Sequence, residues 1–257
     1  MTGAVGTVTR GTTAARRLRR ADRWLVAAHP GLIRRPDLLA VDLGFGERPT
    51  TTLELAARLR QLNPTVRVVG LDISPERVTG AAALGQLGVE FAVGGFELGG
   101  RRADLVRAFN VLRQYDETDV TWAWERMQSQ LTPGGLLVEG TCDETGRLGS
   151  WIAIDGAGPR TLTLAVDLAE APSAVATRLP KALIHRNVAG EPIHRLLAEL
   201  DASWRSHAGL RVFGRRQQFA AAVDDLRRTG WPIVHGPSRW RRGEVTIWWR
   251  AIPLPAH

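Results

Sequence analysis

The feature that most constrains this chain is a rhythm over residues 38–141, where short apolar runs alternate with amphipathic stretches. Leu38–Leu43, Val66–Leu71, Val89–Val93, Asp104–Phe109 and Leu136–Glu139 have the length and composition of strands. Between them, Thr51–Leu62, Pro75–Leu87 and Asp119–Leu131 read as helices. Ser74-Pro75 marks a helix start, with Ser as N-cap and Pro in the first turn. Thr51-Thr52-Leu53-Glu54 has the spacing of a capping box. This alternation predicts an α/β protein, a parallel sheet with helices on both faces.

The first run ends in Val41-Asp42-Leu43-Gly44-Phe45-Gly46. Glycines in a strand-to-helix turn let the backbone approach a ligand closely. In open α/β sheets that ligand lies at the carboxyl ends of the strands, near the reversal of strand order. Asp72 ends the second run and is placed to bond both hydroxyls of a ribose. A dinucleotide fingerprint needs a third glycine for the pyrophosphate, and Pro49 holds that position with Arg48 beside it.

Four segments, taken in order, resemble the motifs of class I S-adenosylmethionine-dependent methyltransferases. Val41–Gly46 resembles the first motif and Val69–Ser74 the second. Asp104–Leu112 resembles the fourth-strand motif, and Leu131–Leu137 the turn into the fifth strand. The resemblance implies a Rossmann-like fold with a mostly parallel, seven-stranded sheet and a C-terminal antiparallel strand pair. Helix Gln217–Thr229 and strands at Trp231–Val234 and Glu244–Ala251 supply that ending. Residues 1–36 then form a basic arm and helix, and residues 37–257 the methyltransferase-like domain. An insertion at about 145–210, after the fifth strand, covers the active site. Within it Trp151–Ile154 and Thr161–Val166 read as a hairpin, followed by helical stretches from Pro172 to His207.

The same resemblance implies S-adenosyl-L-methionine as cofactor, held by Asp42, Gly44, Phe45, Gly46, Asp72, Ile73, Gly95, Phe96 and Asn110. Asp42 would hold the amino end of the ligand indirectly, and Phe96 would pack on the adenine. Gly95 stands where the family often carries an acid, with Glu97 as its substitute. Asn110 would face the methyl group. No catalytic residue is assigned, because positioning does most of the work once the sulfonium supplies the leaving group. Cys142 lacks the Pro-Cys context of the RNA-cytosine methylases and reads as a buried thiol.

Charge leaves the acceptor open. Lys+Arg number 34 against 26 Asp+Glu, a net charge of +8, and Lys181 is the only lysine. Such a bias looks like GC-rich coding, yet a basic surface still attracts polyanions. Arg16, Arg17, Arg19, Arg20 and Arg23 crowd one predicted helix, and Arg239, Arg241 and Arg242 surround Trp240 at a predicted hairpin tip. A small-molecule acceptor is therefore the first reading and an RNA methyltransferase the second. A non-catalytic binding protein on the same scaffold is the third, and a nicotinamide-dependent reductase a weaker fourth. One cysteine excludes a disulfide framework and a cysteine-based metal site, and the six histidines lack metal-ligand spacing, so no metal is expected. There is no secretory pattern and no apolar run of roughly 18 residues, so the expectation is a cytoplasmic protein with no membrane partner. The oligomeric state stays unassigned.

Overall fold

The computed structural model describes residues 4–8, 11 and 14–254. The rest of the 1–12 arm lies outside the described residues. The strands are β1 (Leu39–Leu43), β2 (Arg67–Asp72), β3 (Val89–Val93), β4 (Ala103–Phe109), β5 (Leu131–Cys142), β6 (Gly149–Asp155), β7 (Gly158–Ala165) and β8 (Glu244–Trp248). They form one sheet in the order β3-β2-β1-β4-β5-β6-β7-β8. Strands β1 to β5 pair in parallel, as the alternation predicts. Strands β6, β7 and β8 each run antiparallel to the strand before them. The fold is α/β and Rossmann-like, with reversal of strand order between β1 and β4.

Around the sheet lie α1 (Arg19–Ala28), α2 (Pro30–Ile33), α3 (Thr50–Leu59), α4 (Pro75–Ala82), α5 (Glu117–Gln128), α6 (Lys181–Ile184), α7 (Pro192–Ser206), α8 (Arg215–Arg228) and α9 (Pro237–Trp240). Alternate strand residues feed two cores, as the pleat requires. Val41, Leu43, Val69, Leu71 and Val106 face Trp124 of α5, Leu196 of α7 and Phe219 of α8. Ala40, Val68 and Leu105 face Trp24 and Leu25 of α1 and Leu55 and Leu59 of α3. Each such side chain, fully buried, contributes roughly 1.5–3 kcal/mol. The basic N-terminal helix is thus part of the second core: Trp24 meets Trp151 of β6 edge-on, with ring centroids 5.6 Å apart.

Three expectations change. The sheet has eight strands among the described residues rather than seven, because the 149–165 hairpin joins it directly between β5 and β8. Trp231–Val234 makes only a single bridge, Ile233 to Ile247. Pro232 has no N–H to give a ladder, and the chain turns at Gly236 into α9. The segment 239–242 is accordingly the end of a short helix with Trp240 buried, not a hairpin tip. Finally, no capping box forms at Thr51–Glu54. Both threonines lie inside α3 and are buried, and Pro49 is the N-cap. The Glu54 carboxylate instead accepts the Arg16 N–H at 2.8 and 3.0 Å.

Candidate functional site

The turn after β1 is built on glycine for a steric reason. Gly44 and Gly46 take φ values of 73° and 80°, the left-handed region that side chains resist. The Gly44 N–H donates to the Leu71 carbonyl at 2.7 Å, which ties the turn to the end of β2. Asp72 completes the tie. One of its oxygens accepts the Gly46 N–H at 3.1 Å, and the other accepts the Ser74 N–H at 3.0 Å. The Arg77 guanidinium reaches the same carboxylate at 3.3 Å. Ser74 caps α4 as its position predicts, with its side chain accepting the Arg77 N–H.

Beside this turn lies a small pocket lined by Leu43, Gly44, Asp72, Ile73, Gly95 and Phe96, among others. Five of the nine predicted cofactor residues therefore meet here: Gly44, Asp72, Ile73, Gly95 and Phe96. Its opposite wall is the N-terminal arm, contributed by Val5, Gly6 and Thr7. The Val5 N–H donates to the Glu97 carboxylate at 2.8 Å, and the Phe96 N–H donates to the Val5 carbonyl at 3.0 Å. The Thr7 N–H donates to the Tyr115 hydroxyl at 2.5 Å. A Cβ on residue 95 would stand 1.9 Å from the Val5 carbonyl oxygen, so the arm needs glycine there. With the arm seated, about 20 Å³ stays free, room for one water molecule.

Glu97 is the acid that closes this edge. Burial works against its charge, but the N–H groups of Gly95, Val5 and Gly99 outweigh burial and hold the carboxyl below its ordinary range. Phe96 stacks at an angle on Tyr115 at 5.2 Å and meets Trp122 edge-on at 5.9 Å.

The other four predicted residues stand behind the pocket. Phe45 packs edge-on against Phe91 at 5.2 Å, and Gly46 gives its N–H to Asp72. Asp42 is buried on the α1 side of the sheet, opposite its register partner Arg107 in β4. The Arg107 fork donates to both Asp42 oxygens at 2.9 and 2.8 Å, to Asp22 of α1 and to the Thr51 carbonyl. The Thr52 hydroxyl donates to Asp42 at 2.6 Å. This network was not read from the sequence, although a lone arginine inside an apolar strand was its signal. Asn110 takes a φ of 60° at the end of β4. Its side-chain oxygen accepts the Cys142 N–H at 3.0 Å, and its amide reaches Cys142 Sγ at 3.4 Å. Burial pushes the Cys142 thiol up. Tyr115 lines the pocket, whereas Arg113 reaches outward to the Thr177 carbonyl at 3.3 Å. Arg48 is exposed.

No protein-family model and no curated protein matches the chain. Among solved structures, it is similar to a magnesium protoporphyrin IX methyltransferase from Synechocystis PCC 6803 with bound SAM, at 23% identity over 48% of this chain and 56% of that one, TM-score 0.38. It is similar to human N-acetylserotonin methyltransferase in complex with SAM, at 26% identity over 49% of this chain and 35% of that one, TM-score 0.37. It is also similar to the CcbJ methyltransferase from Streptomyces caelestis, at 20% identity over 59% of this chain and 66% of that one, TM-score 0.37. The chain thus spans less than two thirds of the length of each.

Proposed function

We propose that this chain is an S-adenosylmethionine-dependent methyltransferase with a small-molecule acceptor. The observation that carries the reading is the meeting of three groups in one pocket where the strand order reverses. These are the glycine turn at Gly44, the buried carboxylate of Asp72 and the Gly95–Glu97 edge.

The donor set suits the cofactor. Asp72 offers a carboxylate for ribose hydroxyls, and Phe96 offers an apolar ring beside the Gly95 backbone. The Phe96 N–H and the Glu97 carboxylate form a paired donor and acceptor, held at present by the Val5 peptide. An adenine edge carries the same complementary pair. Cofactor entry therefore requires Val5–Thr7 to leave. The bound cofactor supplies an activated methyl group. The protein's own part is to orient that group and exclude water. Asp42, Phe45, Gly46 and Asn110 act from behind: they fix the turn and the ends of β1, β4 and β5. No titratable side chain of the pocket is needed as a base for an acceptor that arrives deprotonated.

Calorimetry with S-adenosylmethionine and with its demethylated product tests the reading. Micromolar binding is expected for the wild type, weakened at least tenfold by Asp72→Ala, about 1.4 kcal/mol. No binding at millimolar ligand, with Asp72→Ala indistinguishable from wild type, would sink it.

A further inference from the structure

The carboxyl rim of the sheet carries a second concavity, about 1010 Å³ in volume. Antiparallel β6, β7 and β8 place the 143–148 loop, the end of β7 and the start of β8 at the same rim as the β1 turn. Helices α1, α8 and α9 close the concavity, and ten arginines line it. Only Asp167 and Glu244 oppose them, and both are engaged. Arg239 and Arg20 hold Glu244, and Arg147 lies 3.8 Å from Asp167. Among the described residues, no carboxylate pairs with Arg19, Arg23, Arg216, Arg241 or Arg242.

A coding bias would raise the number of arginines but would not bring them from separate segments to one cleft. The wall is also fixed. Arg20 donates to the carbonyls of Arg147, Val166, Arg242 and Gly243, which locks α1 to three loops. Guanidinium forks match phosphate oxygens. Among the described residues, no aromatic ring lines the cleft, so unpaired bases find nothing there to stack on. A single phosphate would leave most of these cations unmatched.

We propose that this cleft binds the phosphodiester backbone of a double-stranded nucleic acid, without reading its sequence. The Cys142–Arg147 segment runs from the Asn110 contact to the cleft wall, so the duplex would lie beside the cofactor pocket. The inference does not depend on the cofactor reading, because binding is measured with no cofactor present.

The test is fluorescence anisotropy of the full chain with labelled duplex RNA and duplex DNA of about two helical turns, titrated from about 50 to 200 mM salt. Binding to either duplex, falling about a hundredfold over that range, is expected, and the ratio of the two assigns the source. Replacing Arg23, Arg241 and Arg242 together by alanine should weaken binding at least about tenfold and flatten the log–log salt slope by about one per arginine. These three are exposed, so the melting temperature should hold. If it falls, Arg19→Ala with Arg216→Ala carries the same test. Arg67→Ala, at the opposite end of the sheet, should change affinity less than about twofold. Three results each overturn the proposal. They are no salt-dependent binding at micromolar protein, an equal loss in Arg67→Ala, and full displacement by inorganic triphosphate equimolar with the duplex.

Discussion

Glu139 and Arg107 are both ionisable groups buried within the sheet, and their surroundings treat them oppositely. Arg107 is met by two carboxylates and a carbonyl, which keep it charged. Burial, with the Asp42 charge nearby, raises Asp22 to about 6 against the pull of Arg107. Breaking such a buried cluster by removing one partner costs about 3–5 kcal/mol. Among the described residues, Glu139 has no hydrogen-bond partner for either oxygen. Burial raises it to about 8, and the nearby Trp124 indole favours the charge without meeting hydrogen-bond geometry. The sign follows from linkage. The folded chain keeps a proton here that the unfolded chain releases above about pH 4.5, so this residue's contribution falls as pH rises from there toward 8. Glu139→Gln should therefore raise stability near pH 8 by up to about 4 kcal/mol, some 8–16 °C in Tm, and change little near pH 4. Thermal melts at the two pH values check this. Equal gains at both would show that packing, not the proton, is responsible. Neither role was legible in sequence. A charge in an apolar run announces that something unusual is buried, but its partner is fixed by register and by α1, more than 80 positions away.

At the scale of elements, local signals carried well. β1 to β4 lie within about a residue or two of their expected bounds, because apolar runs and Gly or Pro stops act over short distances. The 149–165 hairpin was legible as a hairpin, yet its place in the sheet was not. Its second strand pairs with β8, some 80 residues later, and pairing of that range leaves no local trace. The glycine turn and Asp72 were legible as parts of one site. The arm was not, because Val5 acts through its peptide group, which every residue possesses. That contact makes a prediction. Val5→Pro removes the N–H given to Glu97, a charge-assisted bond worth about 1.5–3 kcal/mol. Calorimetry should find S-adenosylmethionine bound about tenfold more tightly by this variant, because the competing peptide is weakened. Weaker binding would mean that the arm helps to hold the ligand.

At the scale of the molecule, the chain divides its hydrophobic interior by the sheet, and each side depends on a helix distant in sequence. Trp24 and Leu25 of α1 are among the most buried side chains, and they cover β4, β5 and β6 from the second face. A chain lacking residues 1–28 should therefore lose its cooperative melting transition rather than yield a trimmed, folded domain. Differential scanning calorimetry decides this: a retained sharp transition would make α1 an accessory.

Arg20 and Arg23 sit one turn apart on that helix, and they differ in what an evolving lineage is free to change. Arg23 is exposed on the cleft and its side chain holds no backbone carbonyl among the described residues, so lysine there would leave the fold intact. At Arg20 a planar fork reaches four carbonyl oxygens of three loops at once, and an ammonium has neither the reach nor the number of donors. A drift in codon composition toward lysine would thus pass freely through one position and be stopped at the other. Arginine at position 20 is therefore a requirement of the architecture, and the arginine content of this chain as a whole is not one property but a sum of positions with different constraints.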